Sequence, residues 1–214
     1  SKVDVYSWDS MSNLPDSKNT MNTFVSQKQN SSFDLFNIYL DASWIKHSIG
    51  AALEGGQSNC NLYSIALLNK EQYVDSDIYV SHQAPDCVSN QFYKGVFDHN
   101  STGVFNSLVF VAQNAQNTKA AQQNNNIILS DYARTKSNPQ LEIFADEVEC
   151  AHGSTVGQID KNALFYLQSR GINKVLANSL LLRSFLNDVV EKANSQNAKK
   201  CVLLALNDKL RIFN

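Results

Sequence analysis

A concentrated excess of basic residues is missing from this sequence: 18 Lys and Arg stand against 20 Asp and Glu, for a formal net charge of −2. Binding to nucleic acid needs Lys and Arg gathered on one face to displace counterions from phosphate, so the composition argues against that class. The single basic pair, Lys199–Lys200, reads as a solvated helix end. No apolar run approaches the ~18 residues of a membrane span. The opening residues, Ser1-Lys2-Val3-Asp4-Val5, lack the apolar stretch of a secretory signal and also an initiator Met. The sequence is therefore expected to begin after processing or within a longer chain. Cysteine is sparse and scattered. Cys60, Cys87, Cys150 and Cys201 stand singly with no C-x-x-C pair, so a zinc site or a self-contained cluster site is not expected. A chain of 214 residues does not need disulfide staples. Reduced thiols in a cytosol-like compartment are the expectation, with any metal chemistry depending on a partner.

Long amphipathic helices are also lacking between residues 33 and 143. Short apolar runs recur there instead, at 36–40, 62–68, 78–80, 108–112, 127–129 and 141–145, separated by Asn, Gln, Ser and Asp. In the last run Leu141, Ile143 and Ala145 alternate with Glu142 and Phe144, the period of a strand with two different faces. Many short strands without intervening helices give an all-β body, a sandwich or a solenoid. The spacing of roughly 15–25 residues fits the coils of a solenoid. The run Gln122-Gln123-Asn124-Asn125-Asn126 just before Ile127 suits amide ladders along a stack of coils, or else polar loop decoration. Residues 1 to about 30 are polar and are expected to be a frayed or only partly paired start.

After Gly157 the pattern turns helical. Asp160 can cap a helix carrying Ala163, Leu164 and Leu167, which Gly171 ends. Asn173 can cap a second helix with an apolar stripe of Val175, Leu182, Phe185, Leu186 and Val189. A third apolar stretch, 201–206, follows a linker over 193–198. Helices this short must bury their stripes on each other, on the β body or on a partner.

Several blocks between residues 126 and 185 are recognisable. They are Asn138-Pro-Gln-Leu-Glu-Ile-Phe-Ala-Asp-Glu-Val148, then Cys150-Ala-His152-Gly-Ser-Thr-Val-Gly157, then Leu164-Phe-Tyr-Leu-Gln-Ser-Arg170-Gly-Ile172. Upstream, Tyr79-Val-Ser-His82-Gln-Ala-Pro85, Tyr93-Lys-Gly-Val96 and Gln113-Asn-Ala-Gln-Asn-Thr118 keep the same order. The sequence resembles the SufB/SufD family of iron–sulfur cluster assembly proteins, well over about residues 60–206 and weakly over 33–60. It sides with the SufD type, because Leu167 stands where SufB-type sequences carry cysteine and because Cys150-x-His152-Gly153 is present. Ser154 replaces a common Ala and Gln140 a common Glu. Family members usually carry a further helical N-terminal domain and more β coils, so the chain looks like a C-terminal half or a shortened form.

The resemblance implies a mainly β fold, a right-handed parallel β-helix over 1–158 (1–32 poorly placed) with a small helical C-terminal domain over 159–214. It implies a non-catalytic scaffold subunit that pairs with SufB through the β-helix ends. The SufC ATPase, of the ABC type, would dock on the helices, with Leu164, Phe165, Tyr166, Arg170, Leu180, Leu181 and Phe185 as the candidate region. ATP-driven SufC dimerisation would then deform the SufB–SufD interface and expose the place where a cluster is built. His152 is the candidate metal ligand at that interface, acting with a cysteine supplied by SufB, and Cys150 its neighbour. No cofactor is expected to be tightly bound, only a transient iron–sulfur cluster at the interface with SufB. Flavin is associated with the family's assembled complex, yet no phosphate-cradling Gly-rich loop is present to hold it. The compartment implied is a bacterial cytoplasm, or a plastid or apicoplast stroma.

From the residues alone, Val148, Cys150 and His152 alternate and should project to one side of a strand that Gly153 and Gly157 then break. Each feature also has a plainer explanation. His152 can be a satisfied structural residue and Cys150 an inward-facing small hydrophobe. His82 near Asp86 and Cys87 can be polar decoration of a turn at Pro85. Asp146 and Glu147 can simply form a turn, and the helices can cap the solenoid's open end. Two other classes compete. A polysaccharide-active β-helix enzyme would need clustered carboxylates, which the β region does not show. A homodimeric structural solenoid would use the same exposed sheet edge.

Overall fold

The computed structural model describes residues 1–8, 18–41 and 43–211. Eleven strands precede three helices among them. The strands are β1 (Lys2–Trp8), β2 (Lys18–Gln27), β3 (Ser32–Tyr39), β4 (Trp44–Leu53), β5 (Asn59–Leu68), β6 (Tyr73–His82), β7 (Val88–Phe97), β8 (Thr102–Val111), β9 (Thr118–Ile128), β10 (Arg134–Ile143) and β11 (Val148–Gly157). The helices are α1 (Lys161–Ser169), α2 (Lys174–Val190) and α3 (Gln196–Leu210). Odd-numbered strands form one sheet in the order β1-β3-β5-β7-β9-β11, and even-numbered strands the other, β10-β8-β6-β4-β2. Every pairing is parallel. The chain thus winds as a β-solenoid of about five turns, two strands to a turn, and each turn sits on the one before it. Lys119 and Glu149, neighbours on successive turns, are 30 residues apart.

The alternation of each strand decides the packing. Residues such as Leu35, Leu62, Ile49, Ile78, Val80 and Val109 point between the sheets and form the main core. The corners repeat as well. Asn30, Gln57, Asp86 and Asn117 all have positive φ, and their amides bond to Gly56, Pro85, Gln116 and Glu147 of the next turn. Polar side chains recur in register as ladders. Asn61 Nδ2 donates to Asp34 Oδ1 at 2.7 Å and Asn90 Nδ2 to Asn61 Oδ1 at 2.9 Å. On the other sheet Asn138 donates to Asn106 at 2.9 Å and Asn106 to Asp75 at 3.5 Å.

Three expectations need correcting here. The polar start is not frayed where it is described: β1 pairs with β3 from Lys2 to Trp8 and β2 with β4 from Lys18 to Gln27, because parallel backbone bonding needs no apolar run. Residues 9–17 of that stretch lie outside the described residues. The run 122–126 does not precede a strand but lies inside β9. Gln122 and Asn124 point inward and bond across to Ser107 and Ser137, whereas Asn125 Oδ1 accepts from Thr155 Oγ1 of the next turn, along the stack. The strand β11 continues through Gly153 to Gly157, because its pairing with β9 is unbroken there.

The helices do not cap the end of the solenoid. Leu182, Leu186, Val189 and Val190 of α2, with Val202, Leu206 and Leu210 of α3, pack on the outward residues Ile38, Leu40, Ile65, Leu67 and Val96 of the odd sheet. Helices and sheet therefore share one apolar layer. The caps are as the sequence suggests: Asp160 accepts from Asn162 and Ala163, Asn173 from Leu176, and Gly171 takes φ +84° to end α1. α3 begins at Gln196, so the linker is shorter than 193–198. Val175, placed in the α2 stripe by its spacing, is exposed instead. No helix of the described residues is long and apolar enough to cross a membrane.

Candidate functional site

The last turn of the solenoid is open. β10 pairs with β8 on one side and β11 with β9, and neither has a strand on its far side among the described residues. A row of unpaired backbone groups is a template for another chain. Pro139 suits such an edge, since a central strand would need the N–H it lacks.

Cys150 and His152 lie on this last strand. Cys150 is in register with Ala120 and His152 with Gln122, both inward and buried, so the alternation assigned from the sequence is present. Their environments differ. Cys150 is half-buried, packs against the main core, and burial pushes its thiol up from the ordinary value. His152 is exposed, since no further turn covers its row. The turn toward the helices comes several residues later, at 158–160. No group of three or more His, Cys, Asp or Glu side chains close enough to hold a metal ion occurs among the described residues.

A second exposed feature lies on the helices. Phe165 and Tyr166 of α1 are 73% and 57% exposed, and Leu180, Val175 and Leu176 of α2 are also exposed. Arg170 stacks over the Tyr166 ring at 5.3 Å. Of the candidate docking residues, Leu164, Leu181 and Phe185 are half-buried. Phe185 turns inward to line the helix–sheet layer. Leu164 joins Leu129, Lys161 and Leu182 around a groove of about 350 Å³ where α1 meets the strand ends.

His82, Asp86 and Cys87 do not converge on a site. His82 is buried, its Nε2 2.8 Å from Ser89 Oγ, and burial pushes its pKa down to about 4. Cys87 Sγ lies 3.2 Å from Ser58 Oγ, and Asp86 occupies the turn with positive φ. Asp146 and Glu147 occupy the turn between β10 and β11. Two buried groups were not visible to sequence reasoning. His47 sits between Tyr39 Oη (2.8 Å) and Thr23 Oγ1 (2.9 Å), with its pKa lowered to about 4 by burial. Lys94 points outward from β7 into the layer beneath α2. The alternation of β7 puts Lys94 on the outer face, and only the covering helix makes that face an interior.

These features define a parallel β-solenoid with helices laid along one side, an open last turn, and a rim row in which His152 is exposed and Cys150 half-buried. The chain belongs to the SufB/SufD family as a SufD-type member: residues 1–185 match the family described as SUF system FeS cluster assembly, SufBD core domain. The match includes residues 1–32, which the sequence reading left unplaced. The chain is 34% identical over 171 residues to the iron–sulfur cluster assembly protein SufD of Escherichia coli (strain K12), covering 80% of this chain and 40% of that protein. It is 32% identical over 173 residues to protein ABCI7, chloroplastic, of Arabidopsis thaliana, covering 79% and 36%. It is 27% identical over 150 residues to the iron–sulfur cluster assembly protein SufD of Plasmodium falciparum, covering 69% and 10%. The chain thus spans two-fifths or less of the length of these three relatives.

Proposed function

We propose that this chain acts in iron–sulfur cluster assembly as a scaffold rather than as a catalyst. Its open last turn receives a SufB-type subunit, and its exposed helical patch docks a SufC-type ATPase. The observation that carries this reading is the pairing of the two edges: β10 and β11 end their sheets together, with His152 exposed in the inward row between them and the partner. A second solenoid placed there would extend both sheets and enclose His152, so an imidazole from this chain and thiolates from the partner would meet at the junction. Imidazole and thiolate are both competent cluster ligands. The cluster is cargo, assembled at the junction and passed on. The exposure of Phe165, Tyr166 and Leu180 supports docking on the helices, because large apolar side chains gathered in solvent on one domain usually meet a partner. A bacterial cytoplasm or a plastid stroma is the setting that fits the relatives.

The test is co-expression with SufB and SufC partners, followed by size exclusion and by iron and sulfide analysis, for the wild type and His152→Ala. Complex formation in both with lower loading in the variant supports the whole reading. Equal loading would restrict the role to scaffolding and remove His152 from the site. A chain that forms only homodimers, or no complex at all, would overturn the partner assignment.

A further inference from the structure

The inward row that ends in His152 changes character along the solenoid. In register from β3 to β11 it reads Leu35, Leu62, Gln91, Gln122 and His152. The row of the other sheet that meets it reads Thr23, Ile49, Ile78, Ser107 and Pro139. Leucine and isoleucine fill the middle turns, and both rows turn polar beneath the rim. Gln91, Ser107 and Gln122 are all more than nine-tenths buried. They form one chain of hydrogen bonds: Gln122 Nε2 donates to Ser107 Oγ at 2.7 Å, and Ser107 Oγ donates to Gln91 Oε1 at 2.6 Å. Gln122 Nε2 also reaches the Ser107 carbonyl at 3.3 Å. Leu62 shows that an aliphatic side chain fits this row, so packing alone does not call for buried amides, whose desolvation costs free energy. The donations to Ser107 fix the Gln122 amide. Its nitrogen is held toward Ser107, and its carbonyl oxygen Oε1 is the end that can accept.

We propose that Gln122 is a positioning residue for His152: its carbonyl oxygen accepts the proton of one imidazole nitrogen and so presents the other nitrogen to the junction. The inference rests on the reading of His152 as a ligand there. Reach is shown on the same two strands, where Thr155 Oγ1 donates to its register neighbour Asn125 Oδ1 at 2.9 Å. His152 and Gln122 are register neighbours on the inward side of those strands. Asn124, the other inward amide of β9 beside it, lies under Ser154 and not under His152. At the open rim the imidazole is exposed, and water can serve both of its nitrogens. A partner solenoid that covers the row displaces that water, and the ring N–H opposite the ligating nitrogen then needs an acceptor. A ligating histidine whose second nitrogen donates to a carbonyl is held in one tautomer and one ring orientation. Ser107 and Gln91 act one step further back, by keeping the amide from flipping.

The test uses the complex with a SufB-type partner, in which only the histidines of this chain carry nitrogen-15. Ring nitrogen shifts at fixed pH report the tautomer of His152, whose signals are assigned by their loss in His152→Ala. A single neutral tautomer is expected in the wild type and a mixture in Gln122→Leu. Gln122→Glu keeps an acceptor oxygen and should restore the single form. Ser107→Ala, which acts only through the amide, should also mix the tautomers. Iron affinity of the complex should fall about tenfold in Gln122→Leu, and no further when Gln122→Leu is added to His152→Ala. An unchanged tautomer ratio in a folded Gln122→Leu complex would overturn the proposal. An equal loss of iron affinity in the His152→Ala background would also overturn it, marking Gln122 as structural. If Gln122→Leu does not fold, the ratio in Ser107→Ala decides. The two readings fail separately: a tautomer that responds to Gln122 while His152→Ala leaves iron affinity unchanged keeps the Gln122 bond and removes the ligand role. No complex at all would withdraw both.

Discussion

Lys94 of β7 and Asp188 of α2 are joined across the helix–sheet layer, Nζ to Oδ2 at 2.5 Å, with Lys94 Nζ also donating to the Phe185 carbonyl at 2.8 Å. The lysine side chain is 6% exposed and the aspartate 64%, so a buried cation is met by a carboxylate that faces water. The Phe92 and Phe185 rings flank the ammonium at 5.4 and 4.4 Å. An apolar layer that holds one charge can form only in the register that pairs it.

Asp188→Ala should therefore cost more than Lys94→Met. Removing the carboxylate leaves a buried ammonium with one carbonyl, about 1–2 kcal/mol after allowing for the solvent on the aspartate side, whereas methionine keeps the apolar stem and removes the charge for within about 1 kcal/mol. Urea unfolding measures both, and amide exchange in α2 reports whether the loss is local. The reverse ranking would mean that the ion pair itself contributes net stability.

Asn61 is the middle rung of the ladder that runs from Asp34 to Asn90, and Asp34 also accepts from Asn194 at 2.8 Å, tying the α2–α3 connection to the sheet. Asn61→Ala breaks both of its rungs and is expected to cost about 1–3 kcal/mol. Asn61→Asp sets a second carboxylate beside Asp34 and should lose more at low than at high salt. Equal losses at both salt concentrations would remove charge repulsion as the cause.

Acid should weaken the solenoid before ordinary carboxylates protonate. His47 and His82 are held near pKa 4 by burial, against an ordinary value of 6.5. The unfolded chain binds these protons and the folded chain does not, so the stability they contribute is complete above pH 6.5 and is lost as pH falls toward 4. The loss amounts to a few kcal/mol for the pair, at about 1.4 kcal/mol per pH unit per group at most. His82→Leu should flatten the midpoint-against-pH curve over that window. A curve as steep as the wild type's would assign the acid sensitivity elsewhere.

Phe165→Ser and Leu180→Ser should leave stability within about 0.5 kcal/mol, because both side chains are exposed, 73% and 39%. Capture of the ATPase partner, measured by pull-down with the purified subunit, should fall at least tenfold. Lower stability with unchanged capture would show that the patch belongs to the fold and not to a partner.

The strands β3, β5, β6, β8, β9 and β10 each contain an apolar run that the sequence displays, and the caps Asp160, Asn173 and Gly171 were readable because capping is local chemistry. β1, β2, β4, β7 and most of β9 were not, because strands of a stacked solenoid take their pairing from the neighbouring turn and need no apolar run of their own. The alternation of Cys150 and His152 followed from strand period alone. Their opposite exposures did not, since exposure depends on whether a further turn covers the row.

By itself the sequence determined the strand alternation, the caps of the first two helices and the family, because these rest on periods and motifs within one turn or one helix. Tertiary structure decided that the helices lie along the side of the solenoid and not over its end, that Lys94 and His47 are interior, and that His152 stands at an open rim. Those outcomes depend on which surface covers which, and residues 30 or 90 positions apart settle that only when the turns are stacked.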